Sequence, residues 1–195
     1  MRFVLSLAMT FALALGVIAL QPTRASAEWL NPAILNGDVA PGGGLFQGSP
    51  IPRRVVDYDT RYAPGTIVIS HSERRLYLVQ EGGKAIRYGV GVGRPGFGWR
   101  GSYRITRKAE WPDWRPPAAM RRRQPELPVF MAGGPENPLG ARALYIGNTL
   151  WRIHGSNEPQ TIGQAVSSGC VRMTNDDVID LYNRIRVGAR IVMTN

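Results

Sequence analysis

Thr66-Ile67-Val68-Ile69-Ser70, Arg75-Leu76-Tyr77-Leu78-Val79 and Ala85-Ile86-Arg87-Tyr88-Gly89-Val90-Gly91-Val92 form the stretch that decides the fold. Each run is short, rich in Val, Ile, Leu and Tyr, and bounded by turn residues, so each reads as a strand. Gly82-Gly83 falls between the second and third runs and reads as a hairpin turn. The glycines at 89, 91 and 93 predict a bulge or a close approach of neighbouring backbone. Further strands follow at 102–106, 143–146, 150–154 and 190–193, with regular structure starting near Thr66. One helix is predicted between them. Thr174 or Asn175 caps it, Asp176 and Asp177 occupy its first turn, and Val178, Leu181, Tyr182 and Ile185 line one face. Arg184 and Arg186 fall in its last turn and Gly188 stops it. The expectation is a mainly β domain over residues 65–195 with one or two short helices.

Outside that domain the chain changes character. Residues 28–64 carry Pro41, Gly42-Gly43-Gly44, Pro50, Pro52 and Pro64 and read as a poorly ordered lead-in or linker. Before them, Met1-Arg2, an apolar run from Phe3 to Leu20 and Ala25-Ser26-Ala27 are the three parts of an export signal cleaved after Ala27. The alternative is a retained anchor of about 18 apolar residues. The expected location is the periplasm or cell envelope, with no integral membrane segment once the signal is removed. The 195 residues are 44% hydrophobic and 19% charged, which excludes wholesale disorder. A formal charge of +10 falls to +8 when Arg2 and Arg24 leave with the signal. Such a chain favours anionic surroundings. Its arginines are scattered, with no basic stripe interleaved with aromatics, so nucleic-acid binding is not expected.

The chemistry lies between His154 and Cys170. Cys170 is the only cysteine, set in Ser167-Ser168-Gly169-Cys170-Val171-Arg172-Met173. A lone cysteine is commonly a small buried hydrophobe. Here small residues precede it, and Arg172 would lower its pKa electrostatically. A thiol nucleophile needs a base within reach, and His154, at a strand end before Gly155-Ser156-Asn157, is the candidate. A structural histidine is the alternative. His71 reads as an exposed turn residue. Two histidines and one cysteine make no convincing metal site, and no phosphate loop is present, so neither metal nor cofactor is expected. Residues 111–128, with Trp111, Trp114, Pro116-Pro117 and Arg121-Arg122-Arg123, form a long irregular excursion. It reads either as a lid or as a proline-rich loop packed on the sheet by its tryptophans.

Taken together, His154-Gly155-Ser156-Asn157-Glu158-Pro159, Ile162-Gly163 and Ser167 to Met173 resemble the active-site signature of the L,D-transpeptidases. Trp111-Pro112, Trp114, Pro116-Pro117, Asn137-Pro138-Leu139-Gly140 and Arg75-Leu76-Tyr77 resemble flanking patterns of that family, and the likeness runs from about Thr66 to Met193. It implies a β-sandwich-like catalytic domain. It also implies attack by Cys170 on the L,D-amide of a peptidoglycan tetrapeptide stem, and a thioester resolved by an amine. That amine is a second stem, giving a 3→3 cross-link, or belongs to an envelope protein. Water in its place gives a carboxypeptidase, and a degenerate site would leave a wall-binding module. On the same basis His154 is the general base, and the Gly155 carbonyl orients it. The N–H groups of Gly169 and Cys170 serve the oxyanion. Arg172, Trp111 and Trp114 are candidate substrate-binding residues, Arg172 otherwise pairing with Asp176 or Asp177. Many members carry a histidine where this chain has Ser168, whose hydroxyl is then a candidate orienting group.

Overall fold

Where the sequence suggested a linker, the first strand is already formed. The computed structural model describes residues 48–195, so the export signal over 1–27 and the first part of the lead-in lie outside the described residues. β1 (Arg54–Asp57) pairs antiparallel with β4 (Lys84–Gly89), which pairs with β3 (Arg75–Val79), which pairs with β2 (Ile67–Ser70). Regular structure therefore begins before Thr66. β1 is an edge strand with most of its residues exposed, so it lacks the buried alternation that marks a strand in sequence. Between β3 and β4, Gly82 and Gly83 both take φ +67°, which other residues rarely adopt.

After the short β5 (Val92–Gly93) comes β6 (Gly101–Glu110), which serves two partners. Its first part pairs with β11 (Arg190–Thr194) and its second with β7 (Arg142–Ile146), with a register irregularity between Ile105 and Arg107. β7 continues to β8 (Arg152–His154) and then to β10 (Val171–Arg172), while β9 (Ala165–Ser167) pairs with β5. The full sheet runs β1-β4-β3-β2-β11-β6-β7-β8-β10. Its two halves enclose one apolar core in which Ile67, Leu76 and Ile191 from one side meet Leu144, Ile153 and Val171 from the other, all fully buried.

Two helices complete the domain. α1 (Ala118–Arg123) is a single short stretch inside the excursion. α2 (Asn175–Arg184) is the predicted amphipathic helix, with Val178 and Leu181 buried in the core. Thr174 is its cap, its hydroxyl accepting from the Asp177 N–H at 3.3 Å. It ends at Arg184, one turn short of Gly188, so Arg186 falls outside it. The glycines of the β4–β5 link mark close approach. A Cβ on Gly89 would come 2.6 Å from that of Ile51, and one on Gly93 would come 2.5 Å from the Phe97 carbonyl. Ile51 thus lies over Gly89, and Arg53 reaches Asp177 at 3.4 Å, so residues 51–57 strap the lead-in to the sheet and to α2.

Candidate active site

The site is built on the pairing of two parallel strands. In the register of β8 with β10, Ile153 lies opposite Val171 and His154 opposite Arg172. One residue earlier the same register sets Arg152 beside Cys170. Side chains alternate along a strand, so Ile153 and Val171 face the core and the four residues 152, 154, 170 and 172 share the opposite face. A second partner fixes the far edge of β10, where Gly91 and Arg172 exchange backbone hydrogen bonds of 2.8 and 2.9 Å. The Met173 N–H donates to the His154 carbonyl at 2.9 Å, tying base strand and cysteine strand at their other end.

His154 is buried, with Nδ1 2.5 Å from the Gly155 carbonyl oxygen. With the proton on Nδ1, that contact is a hydrogen bond and leaves Nε2 as an acceptor. Burial drives the imidazole pKa down to about 3; backbone hydrogen bonds to Gly155 and Leu139 oppose that, and the charges of Arg172 and Arg152 reinforce it. The histidine is therefore neutral at physiological pH. Gly155 is tightly enclosed, since a Cβ there would run into the Asn175 side chain and would lie 3.2 Å from Val178. Asn175 Oδ1 in turn accepts from the Ala141 N–H at 2.9 Å, so the start of α2 braces the turn that follows His154.

The cysteine loop is held from below. The Ser167 hydroxyl donates to the Cys170 carbonyl at 2.6 Å and accepts from the Gly169 N–H at 3.1 Å. The Gly169 N–H is thereby occupied, and the Cys170 N–H is the one of the two without a hydrogen-bond partner among the described residues. Gly169 takes φ +112°, and its carbonyl accepts from Trp99 Nε1 at 2.9 Å. Trp99 stacks on Trp151 at 4.9 Å, and Tyr103 meets both edge-on. Each such pair contributes about 0.5–1.5 kcal/mol beyond its buried area, making a stiff wall under the loop. Cys170 is half-buried, its sulfur 3.7 Å from the Leu150 carbonyl oxygen.

The charge around the sulfur differs from the sequence expectation. Burial pushes the Cys170 thiol pKa up. Opposing this, the charge of Arg152 and hydrogen bonds from its backbone and side chain come first, and Arg172 contributes after them. Arg172 is engaged elsewhere, with Glu158 at 2.7 Å rather than with Asp176 or Asp177. Sequence reasoning missed Arg152. The available signal was its spacing: Arg152 and His154, like Cys170 and Arg172, stand two residues apart, the period that puts strand residues on one face.

A model of the L,D-transpeptidase catalytic domain (YkuD) matches residues 64–193. The chain belongs to the L,D-transpeptidase catalytic-domain family. It is 36% identical over 163 residues to the probable L,D-transpeptidase ErfK/SrfK of Escherichia coli K12, covering 77% of this chain and 52% of that one. The chain spans about half the length of the curated relatives with which it aligns most widely. Among solved structures, a Brucella melitensis protein titled a probable carnitine operon oxidoreductase is 44% identical, with a TM-score of 0.51, over 72% of this chain and 91% of that one. An L,D-transpeptidase from Mycobacterium smegmatis shares the fold at 18% identity and TM-score 0.51, over 67% of this chain and 58% of that one.

On this transpeptidase fold Asn137 ties together the excursion between β6 and β7. Asn137 is buried; its amide donates to the carbonyls of Pro112, Met131 and Ala132 at 2.9–3.3 Å, and its Oδ1 accepts from the Leu139 N–H at 2.9 Å. Trp111 is 36% exposed and takes φ +39°. Trp114 is half-buried and exchanges backbone hydrogen bonds with Met131. Both tryptophans lie on the excursion, where the Trp111 N–H donates to the Ala141 carbonyl at 2.8 Å. Ser168 is half-buried beside Gly169. His71 is not a free turn residue: it is half-buried, and its Nε2 lies 2.9 Å from the Gly93 carbonyl oxygen.

Proposed function

We propose that this protein is an L,D-transpeptidase that acts on peptidoglycan tetrapeptide stems through a Cys170 thioester. The observation that carries the reading is the shared face of β8 and β10, which presents the Cys170 thiol, the His154 imidazole and two guanidinium groups together. Nε2 of His154, left as an acceptor by the Nδ1–Gly155 contact, takes the thiol proton. The sulfur attacks the amide carbonyl between the third-residue diamino acid and the terminal D-Ala, and the Cys170 N–H receives the developing oxyanion. His154 then returns the proton to the leaving amine, D-Ala departs, and the acyl group remains on sulfur. An acceptor amine reverses these steps. It comes from a second stem, forming a 3→3 cross-link, or from an envelope protein.

In this reading the chain is exported to the periplasm by its 1–27 signal, and no helix among the described residues is long and apolar enough to cross a membrane. Thiol, imidazole and guanidinium groups are the parts of acyl transfer, and we take that reading over the oxidoreductase named for the Brucella protein.

The test is mass spectrometry of disaccharide-tetrapeptide incubated with the purified protein and with Cys170→Ala. Cross-linked dimers that have lost one D-Ala, absent with Cys170→Ala, are expected. Tripeptide monomers alone would make the enzyme a carboxypeptidase, and no Cys170-dependent product would overturn the enzymatic reading. Acylation of Cys170 by a carbapenem is expected as well, read as a mass increase of the intact protein.

A further inference from the structure

Two arginines stand on the face that carries the thiol, and they are not equivalent. Arg172 is paired: its guanidinium lies 2.7 Å from Glu158 and reaches towards the Thr161 hydroxyl at 3.5 Å. Arg152 has no carboxylate partner among the described residues. Its guanidinium lies over the Tyr145 ring at 5.2 Å, a ring that Arg107 also covers at 3.6 Å. Its Nε is buried and has no hydrogen-bond partner among the described residues. A half-buried cation whose donors are not all satisfied costs stability unless an anion completes it. The neighbour that the β8–β10 register sets beside it is Cys170. That sulfur carries no charge in the resting thiol and a full negative charge once its proton has left. The other groups facing it are His154, neutral, and Arg172, which is paired with Glu158.

We propose that Arg152, rather than Arg172, is the charge partner of the Cys170 sulfur anion. When the thiol proton passes to Nε2 of His154, the electron pair stays on Sγ and the guanidinium of Arg152 donates to it. When the sulfur attacks, that charge moves to the substrate oxygen and Arg152 is released. Arg152 is then a catalytic residue that touches the reacting atom, while Arg172 ties the cysteine strand to the 158–161 turn. The inference rests on Cys170 being the nucleophile of the proposed reaction.

Because the chain has one cysteine, alkylation by iodoacetamide, an uncharged reagent, reads Cys170 alone. Its rate is to be followed from pH 5 to 10 in the wild type, Arg152→Gln, Arg152→Lys and Arg172→Gln, beside kcat and KM on the tetrapeptide. Arg152→Gln should raise the alkylation midpoint by about one pH unit and slow the reaction at pH 7 about tenfold. It should lower kcat with KM little changed. Arg152→Lys, which keeps the charge, should hold the midpoint within about half a pH unit of wild type, and Arg172→Gln should move it less than Arg152→Gln does. Near-UV circular dichroism checks folding. If Arg152→Gln does not fold, Arg152→Met supplies the neutral variant, and a midpoint as far displaced in a folded Arg152→Lys as in the neutral variant overturns the proposal by itself. A raised KM with an unmoved midpoint overturns it in favour of a substrate-carboxylate anchor, and an equal displacement from Arg172→Gln also overturns it. An Arg152-dependent midpoint without any Cys170-dependent turnover would leave this inference standing and remove the proposed function.

Discussion

Asp177 and His154 are both almost fully buried, Asp177 in the first turn of α2 and His154 one residue before the Gly155 turn that Asn175 and Val178 enclose, yet the fold treats them differently. Burial pushes each towards its neutral form: the Asp177 carboxyl up to about 6, the His154 imidazole down to about 3. At Asp177 the fold supplies a counter-ion, Arg53, which with the Thr174 hydrogen bond partly offsets the cost of burying charge. At His154 the nearby charges are Arg172 and Arg152, which oppose protonation. A strap is served by an ion pair that persists. A base that must hand a proton on is served by surroundings in which the imidazolium is favourable only while the adjacent sulfur is an anion. The difference separates a place that fastens the chain from a place that works.

The largest effect is expected at the working place. His154→Gln should reduce Cys170-dependent turnover about 10²–10⁴-fold. It should also change acid stability. The folded imidazole pKa lies below the ordinary 6.5, so the unfolded chain gains a proton first and stability falls as pH drops from about 6.5 towards 3. Urea titrations at a series of pH values should show His154→Gln gaining stability relative to the wild type as pH falls through that window.

Next comes the cysteine loop. Gly169→Ala forces a side chain onto φ +112° with its Cβ 3.0 Å from the Trp151 ring. A strain of about 1–3 kcal/mol is expected, read as a lowered Tm, a changed tryptophan emission and at least a tenfold loss of turnover.

The strap gives a smaller effect of opposite sign. Asp177 is raised above its ordinary 3.8, so the folded state takes up the proton first and stability rises as pH falls from about 6 to 3.8. Asp177→Asn should abolish that rise and make acid unfolding steeper across this window, read by the same urea titrations. The smallest effect belongs to Glu158→Gln. It breaks a partly exposed pair with Arg172 worth about 0–1 kcal/mol, so Tm should move by only a few degrees at most.

Much of this was legible in the sequence. The central strands declare themselves by β-branched density, and α2 by its spacing and its cap. Glycines 89 and 93 signalled the close approaches that Ile51 and Phe97 make. What escaped depends on pairing. β5, β9 and β10 are two or three residues long and exist only because partners run beside them. β1 is an exposed edge. The neighbourhood of Arg152 and Cys170 is a matter of register between strands with a long connection between them, which no local pattern encodes. Arg172, close to Cys170 in sequence, was the arginine that local spacing brought forward; it pairs with Glu158.

β11 follows every other described element in chain order, yet it lies between β2 and β6, near the middle of the sheet. Until those residues arrive, two strands wait with open hydrogen-bonding edges and the halves of the core stay apart. Folding cannot be completed in step with synthesis, and it must close on a contact of long sequence separation. The interval before closure is when the chain is most exposed to mispairing and to holdase-type chaperones.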